Sequence, residues 1–256
     1  MQFCVLGSGS KGNSILVKTA ELCILVDQGF SAREICNRLK IADITPDSIN
    51  AIIVTHEHTD HIKGLGAWRR KFHTPIFINH ATLKTIKDDY CKDGPVNCFH
   101  TGKRFDIGEM QVYPFSLPHD AADPVGLIFE WKGRRIGIVT DLGCVTELAR
   151  RRLEGADAMV IESNHDPDML INGPYPWPVK ERIRQNLGHL SNPQAAELIH
   201  EVAHRNLKAL VLAHISGKNN TPELVLKSAR SAMDGRSHAK LILGRQDKIT
   251  EVTNLD

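Results

Sequence analysis

Residues 56–61 read His-Glu-His-Thr-Asp-His, and four of these residues make the metal-binding pattern H-x-H-x-D-H: His56, His58, Asp60 and His61. Imidazole and carboxylate together suit zinc, and they tolerate manganese or iron. The apolar run Ala51-Ile52-Ile53-Val54-Thr55 precedes them and has the pattern of a buried strand. His56 and His58, two apart on an extended segment, point the same way and can share one cation. Asp60 and His61 then open a helix expected over residues 62–71, where they can reach a second cation beside the first. Packing does not explain such a cluster, because buried imidazoles need partners and crowded charges at a sheet end need a counter-ion.

The same arrangement recurs along the chain. Apolar runs end in Asp27, His56, Asp141, Glu162 and His214. Short continuous apolar runs are what strands covered on both faces look like. Polar residues at their ends would lie along one rim, where layered α/β proteins place their sites.

Helices must lie between these strands. Ser31 with Glu34 forms a capping box that opens a helix over 32–40. Ser191 with Gln194, and Pro193 in the first turn, opens another that runs to about residue 205. Thr221-Pro222 starts a third. Residues 2–26 and 110–140 are rich in strands, and the second stretch turns at Lys132-Gly133. Hairpins followed by β-α alternation thus occur twice. The expected architecture is a four-layer αββα sandwich of two similar halves, one domain over residues 1–256.

Near the start, "GSGSKGNS" (residues 7–14) spells G-x-G-x-x-G. The dinucleotide reading needs a helix next. Ser14-Ile15-Leu16-Val17 reads instead as a strand, so the loop is a hairpin connection. Two uses stay open: a cradle in which the N–H groups of Gly9, Gly12 and Asn13 approach a phosphate, or a tight turn with no ligand.

The H-x-H-x-D-H segment resembles the metallo-β-lactamase fold superfamily, and the similarity runs along most of the chain. The resemblance implies that Asp27 orients the histidine segment from behind. It adds His119 in "SLPHDA", Asp141 in "IVTDLG" as a bridging carboxylate, and His214 in "LAHIS". One cation would then take His56, His58, His119 and Asp141; the other would take Asp60, His61, Asp141 and His214. The β-lactamases of the best-known class carry cysteine where this chain has Asp141, which argues against antibiotic hydrolysis.

The segments "GHLSNPQAAELI" and "LAHIS" are similar to the tRNA 3′-processing endonucleases, which makes His189 a candidate acid at the phosphate. The segments "GSGSKGNS", "ILVDQGFS", "ESNHD" and "LAHIS-x-x-NN" resemble the WalJ/YycJ-type exonuclease branch of the superfamily. The resemblance implies a 5′-3′ DNA exonuclease with two divalent metal ions, zinc first. Hydroxide activated by the metals would attack phosphorus, with Asp60 or Asp141 taking the proton. The alternative on the same site is a hydrolase of a small ester, thioester or cyclic phosphodiester. DNA is the preferred partner over RNA.

The remaining features are consistent with such a protein. A net charge of +2 is too small to imply nucleic-acid binding by itself. Four basic clusters stand out: Arg69-Arg70-Lys71, Arg134-Arg135, Arg150-Arg151-Arg152, and Lys180 with Arg182 and Arg184; each is expected to be mostly solvated. Neither a signal-peptide pattern nor a membrane-length apolar run is present, and the six cysteines form no C-x-x-C pair. These features predict a cytoplasmic protein with free thiols. His165 is either a contact near the site or a surface-loop residue. The Pro-rich stretch 172–185 is expected at the rim, with Tyr175 and Trp177 either stacking on a base or packing.

Overall fold

The computed structural model describes residues 1–256. Its fourteen strands form two seven-stranded sheets. The first holds β1 (Gln2–Gly7), β2 (Ser14–Lys18), β3 (Cys23–Val26), β4 (Ala51–Ile53), β5 (Ile76–Asn79) and β6 (Val96–Phe99) in sequence order. The second holds β7 (Phe105–Ile107), β8 (Met110–Ser116), β9 (Val125–Trp131), β10 (Arg134–Val139), β11 (Ala158–Glu162), β12 (Ala209–Ala213) and β13 (Lys240–Leu243). A short β14 (Thr253–Asn254) returns to pair with β1.

In each sheet, hairpins come first and crossovers follow. β1, β2 and β3 pair antiparallel, and β3 to β6 pair parallel. β7 to β10 pair antiparallel, and β10 to β13 pair parallel. The turn at Lys132-Gly133 has positive φ at both residues, 46° and 73°. That backbone matches the right-handed twist of the strands it joins.

Alternation along each strand divides the core. In β1, Phe3 and Val5 face the opposite sheet, while Cys4 and Leu6 face outward onto helices. In β11, Ala158 and Val160 face inward while Met159 and Ile161 face helices. On the first sheet the covering helices are α1 (Ala32–Ile41) and α3 (Leu65–Phe72), through Ile35, Leu39, Leu65 and Trp68. Between them in the chain lies the one-turn α2 (Thr59–Ile62), and α4 (His80–Thr85) follows β5. On the second sheet α5 (Glu147–Leu153), α8 (Asn192–Val202) and α9 (Pro222–Met233) bury Leu153, Leu198 and Val225. α6 (Pro167–Asn172) and α7 (Trp177–Arg184) occupy the Pro-rich region between β11 and α8. The layers are therefore α, β, β and α.

Two helices differ from expectation. The helix over 62–71 is broken: α2 ends at Ile62 and α3 begins at Leu65. Gly64 donates its N–H to the Gln28 carbonyl, and a Cβ there would collide with the carbonyl of Phe30, so the chain kinks where it docks on that loop. The helix opened by Ser191 stops at Val202, because Ala203 turns extended to carry Leu207 into the core ahead of β12.

Arg69 and Lys180 are also not solvated. Arg69 is fully buried and its guanidinium reaches the carbonyls of Thr74, Tyr90 and Pro95, while buried Lys180 bonds the carbonyl of Ile171. All six cysteines are free, and Cys4 and Cys23 are buried. No helix is long and apolar enough to cross a membrane.

Candidate metal centre

The carboxyl ends of β3, β4, β10, β11 and β12 open onto one rim. Three residues just beyond them adopt the left-handed backbone conformation that non-glycine residues rarely take: Asp27 (φ 63°), Asp141 (φ 60°) and His214 (φ 51°). Such strain clusters at functional sites, where surrounding contacts hold it.

Asp27 accepts from the backbone N–H and the hydroxyl of Thr55, both at 2.8 Å, and from His61 Nδ1 at 2.7 Å. Because the Thr55 hydroxyl donates to Asp27, its oxygen is left to accept from His56 Nδ1 at 3.0 Å. His58 Nε2 donates to the Asp120 carbonyl at 3.2 Å, and His119 Nδ1 to the Gly188 carbonyl at 3.0 Å. His189 and His214 both donate from Nδ1 to Glu162 Oε1 at 2.8 Å. Each of these six imidazoles thus spends one nitrogen on an oxygen acceptor, which fixes its orientation and leaves the other nitrogen free for a metal or a proton.

The second nitrogens converge. His58 Nδ1 and His119 Nε2 are 3.2 Å apart. His61 Nε2 lies 3.2 Å from Asp141 Oδ2, and His214 Nε2 lies 3.4 Å from Asp141 Oδ1 and 3.5 Å from Asp60 Oδ2. His56 Nε2 and Asp141 Oδ2 are buried without a hydrogen-bond partner. Ligand atoms of His56, His58 and His119 lie within 4.8 Å of one another, and so do those of Asp60, His61 and His214. Between them, His56, His61 and Asp141 form a third such set. Imidazole nitrogens and carboxylate oxygens gathered this closely in a buried site fit a cation.

The protonation equilibria follow the same logic. Burial pushes the pKa of His56 well down, and the charge of neighbouring His61 adds to it. Burial is the largest influence and opposes charge on His61 and His214, but the surrounding carboxylates together, Asp141 foremost with Asp27 at His61 and with Asp60 and Glu162 at His214, hold both well above the ordinary value. For Asp60, burial acts upward, yet the His214 hydrogen bond and the charges of His61 and His214 hold the carboxyl at about 2. The site keeps its carboxylates ionised and collects positive charge around them.

Glu162, fully buried, carries more than its place at a strand end suggests. Its Oε1 takes the two imidazoles, and its Oε2 takes the backbone N–H groups of Leu142 (3.1 Å) and Leu190 (3.0 Å). Burial would raise its pKa, but His189 and His214 hold it at about 2.

Asn13 was also hidden in the sequence. Its Oδ1 accepts from Gly9 N–H and Ser8 hydroxyl, both at 2.9 Å, and its Nδ2 sits 3.1 Å from Asp60 Oδ2 and 3.0 Å from His61 Nε2. Ser8 Oγ in turn accepts from the His214 backbone N–H at 2.9 Å. The loop therefore links Asp60 on one sheet to His214 on the other. Its N–H groups are occupied: Gly9 by Asn13, Gly12 by the Gly9 carbonyl and Asn13 by the Asp60 carbonyl. The phosphate-cradle expectation is corrected accordingly. A Cβ on Gly29 would collide with that same Asp60 carbonyl, so the three segments pack backbone to backbone.

His165 is buried, with Nδ1 unpartnered, and is not a surface-loop residue. Burial, the largest influence, pushes its pKa down to about 4. A cavity of about 330 Å³ opens over Asp60, Asp141, His189 and His214, and Val179, Arg182 and Ile183 of α7 form one wall. Trp177 at the start of α7 is exposed, and Lys218 Nζ lies 5.3 Å from the Tyr175 ring centroid. Arg134, Arg135 and Arg150 pair with Asp157, Glu130 and Glu201, away from the cavity lining.

Comparison with known families adds one decisive observation. The profile of the beta-lactamase superfamily domain matches residues 23–215, which include every converging imidazole and carboxylate described above. The chain belongs to the beta-lactamase superfamily. Within that superfamily it is 37% identical to exodeoxyribonuclease YycJ of Bacillus anthracis over 237 residues, 91% of this chain and 89% of that protein. It is 34% identical to exodeoxyribonuclease WalJ of Streptococcus pneumoniae over 227 residues, covering 87% and 84%. In fold it is similar to the metallo-beta-lactamase fold protein YhfI from Bacillus subtilis (TM-score 0.75, 16% identity, 98% and 99% coverage). The superfamily and the histidine–aspartate clusters together mark a divalent-metal site.

Proposed function

We propose that this chain is a metal-dependent phosphodiester hydrolase of nucleic acid, a DNA exonuclease that works from the 5′ end. One observation carries the metal-dependent chemistry: six imidazoles are each anchored through one nitrogen, and His56, His58, His61, His119 and His214 gather with Asp60 and Asp141 in overlapping clusters of ligand atoms. The substrate assignment is supported by the exodeoxyribonuclease relatives, which match about nine-tenths of the chain.

His56, His58, His119 and Asp141 would hold one divalent cation, and Asp60, His61, Asp141 and His214 a second. Zinc suits this nitrogen-rich set, and manganese or iron is tolerated. When bound, such cations polarise phosphoryl oxygens and make water acidic enough to attack at neutral pH. Asp27 fixes the tautomer and angle of His61 from behind. Asp60 stays ionised and lines the cavity, so it can orient the attacking water and accept its proton. His189 has Nδ1 tied to Glu162, which leaves Nε2 to protonate the leaving oxygen. Free thiols and the lack of a membrane-length helix agree with a cytoplasmic setting.

The test uses end-labelled DNA and RNA strands of one sequence, with metal-stripped protein restored by zinc or manganese. Stepwise shortening of DNA from the 5′ end is expected, with Asp60→Asn reducing turnover about a hundredfold or more. Restored protein that leaves every strand intact would refute the reading.

A further inference from the structure

Arg182 is the one lysine or arginine lining the cavity, whose acidic members are Asp60, Asp120 and Asp141. A phosphodiester strand brings one negative charge per nucleotide to this acidic wall. On α7, Val179, Arg182 and Ile183 stand at helical spacing, so they face the cavity together. Both Nε and Nη2 of Arg182 reach Asp120 Oδ2 at 2.6 Å. The Asp120 carboxylate itself lies 3.4 Å from His119 Nε2 and 3.7 Å from His58 Nε2. The guanidinium therefore already holds an anion at the lip of the metal centre.

That anion is exchangeable. The Arg182 side chain is 65% exposed and Asp120 is 29% exposed. Exposed ion pairs contribute little stability, so a second anion can displace the carboxylate readily. A phosphate oxygen pair matches the planar two-donor edge of guanidinium better than a single carboxylate oxygen does.

We propose that Arg182 binds a backbone phosphate adjacent to the scissile one, releasing Asp120 as the strand enters. The proposal rests on the nucleic-acid reading above. It makes Arg182 a determinant of specificity for strands over small diesters, because a compound with one phosphate has no neighbouring phosphate to offer.

The experiment compares zinc-loaded wild type, Arg182→Ala and Arg182→Lys on a 5′-phosphorylated single-stranded oligonucleotide and on bis(4-nitrophenyl) phosphate, at several salt concentrations. Arg182→Ala should raise KM for the oligonucleotide about tenfold to a hundredfold, the loss of one charge-assisted pair, with a smaller change in kcat. The effect on the small diester should be at least about tenfold weaker. The slope of log KM against log salt should shrink by about 0.7, the value for one lost contact to a single strand. Arg182→Lys should restore the salt slope but only part of the affinity, since charge returns without the fork. Equal losses on both substrates, or an unchanged salt slope, would overturn the phosphate role and leave the nuclease reading standing. Wild-type protein that leaves the oligonucleotide intact would overturn both.

Discussion

Replacing Glu162 by glutamine tests the anchoring of the imidazoles with almost no change of shape. The carboxylate accepts four hydrogen bonds, two at each oxygen. Glutamine keeps one oxygen, so its amide nitrogen must face one of the two pairs of donors. Facing the N–H groups of Leu142 and Leu190, it leaves two buried donors unpaired. At about 1–3 kcal/mol each, that costs roughly 2–6 kcal/mol of stability. Facing His189 and His214 instead, it drives their protons from Nδ1 to Nε2. His214 then has no lone pair to give a metal, and affinity at that site falls about 10- to 100-fold. The two orientations have different signatures: lost stability with metal affinity kept, or lost metal affinity with stability kept. Urea unfolding of the stripped protein reads the first, and zinc competition against a chromophoric chelator reads the second. A Glu162→Gln protein unchanged in both would refute the claim that this carboxylate sets the tautomers.

Asn13→Ala should cost about 2–4 kcal/mol, because the donors of Ser8 and Gly9 lose their acceptor, and should weaken zinc binding through Asp60; urea midpoints and the same chelator competition check both. His165 gives a pH prediction with a definite sign. Its folded pKa of about 4 lies below the unfolded 6.5, so the unfolded chain gains a proton first and stability falls as pH drops from about 6.5 to 4. At 1.36 kcal/mol per unit the contribution is roughly 3 kcal/mol. His165→Asn should therefore lose less stability over that window, measured as urea unfolding of stripped protein at pH 7 and pH 4.5; parallel losses would refute it.

Much of this site could be read from adjacent residues. His56, His58, Asp60 and His61 are so close together that their chemistry is visible without the fold, and the sheets appear in the repeated apolar runs. The groups that position them are remote. Asn13 meets Asp60 across 47 residues, and Glu162 meets His214 across 52. No local spacing encodes those meetings. Glu162 shared the strand-end placement of Asp141 and opened the segment "ESNHD", but neither showed which imidazoles it would hold. The glycine-serine loop showed a tight turn but not what it enclosed. The broken helix did leave a mark in Gly64, whose importance depends on a backbone contact with Phe30 that only the fold creates.

The two sheets also carry a common design. β3 and β10 are the strands at which antiparallel pairing gives way to parallel, and a left-handed aspartate follows each one: Asp27 directly and Asp141 one residue later. His61 lies between them, with Nδ1 at Asp27 and Nε2 at Asp141. The two sheets thus repeat one plan with different duties for the acid at the switch. One half's acid steadies an imidazole from behind, and the other's meets the same ring from the front. Neither half alone contains a full ligand set, so the centre is complete only when the two sheets are packed face to face.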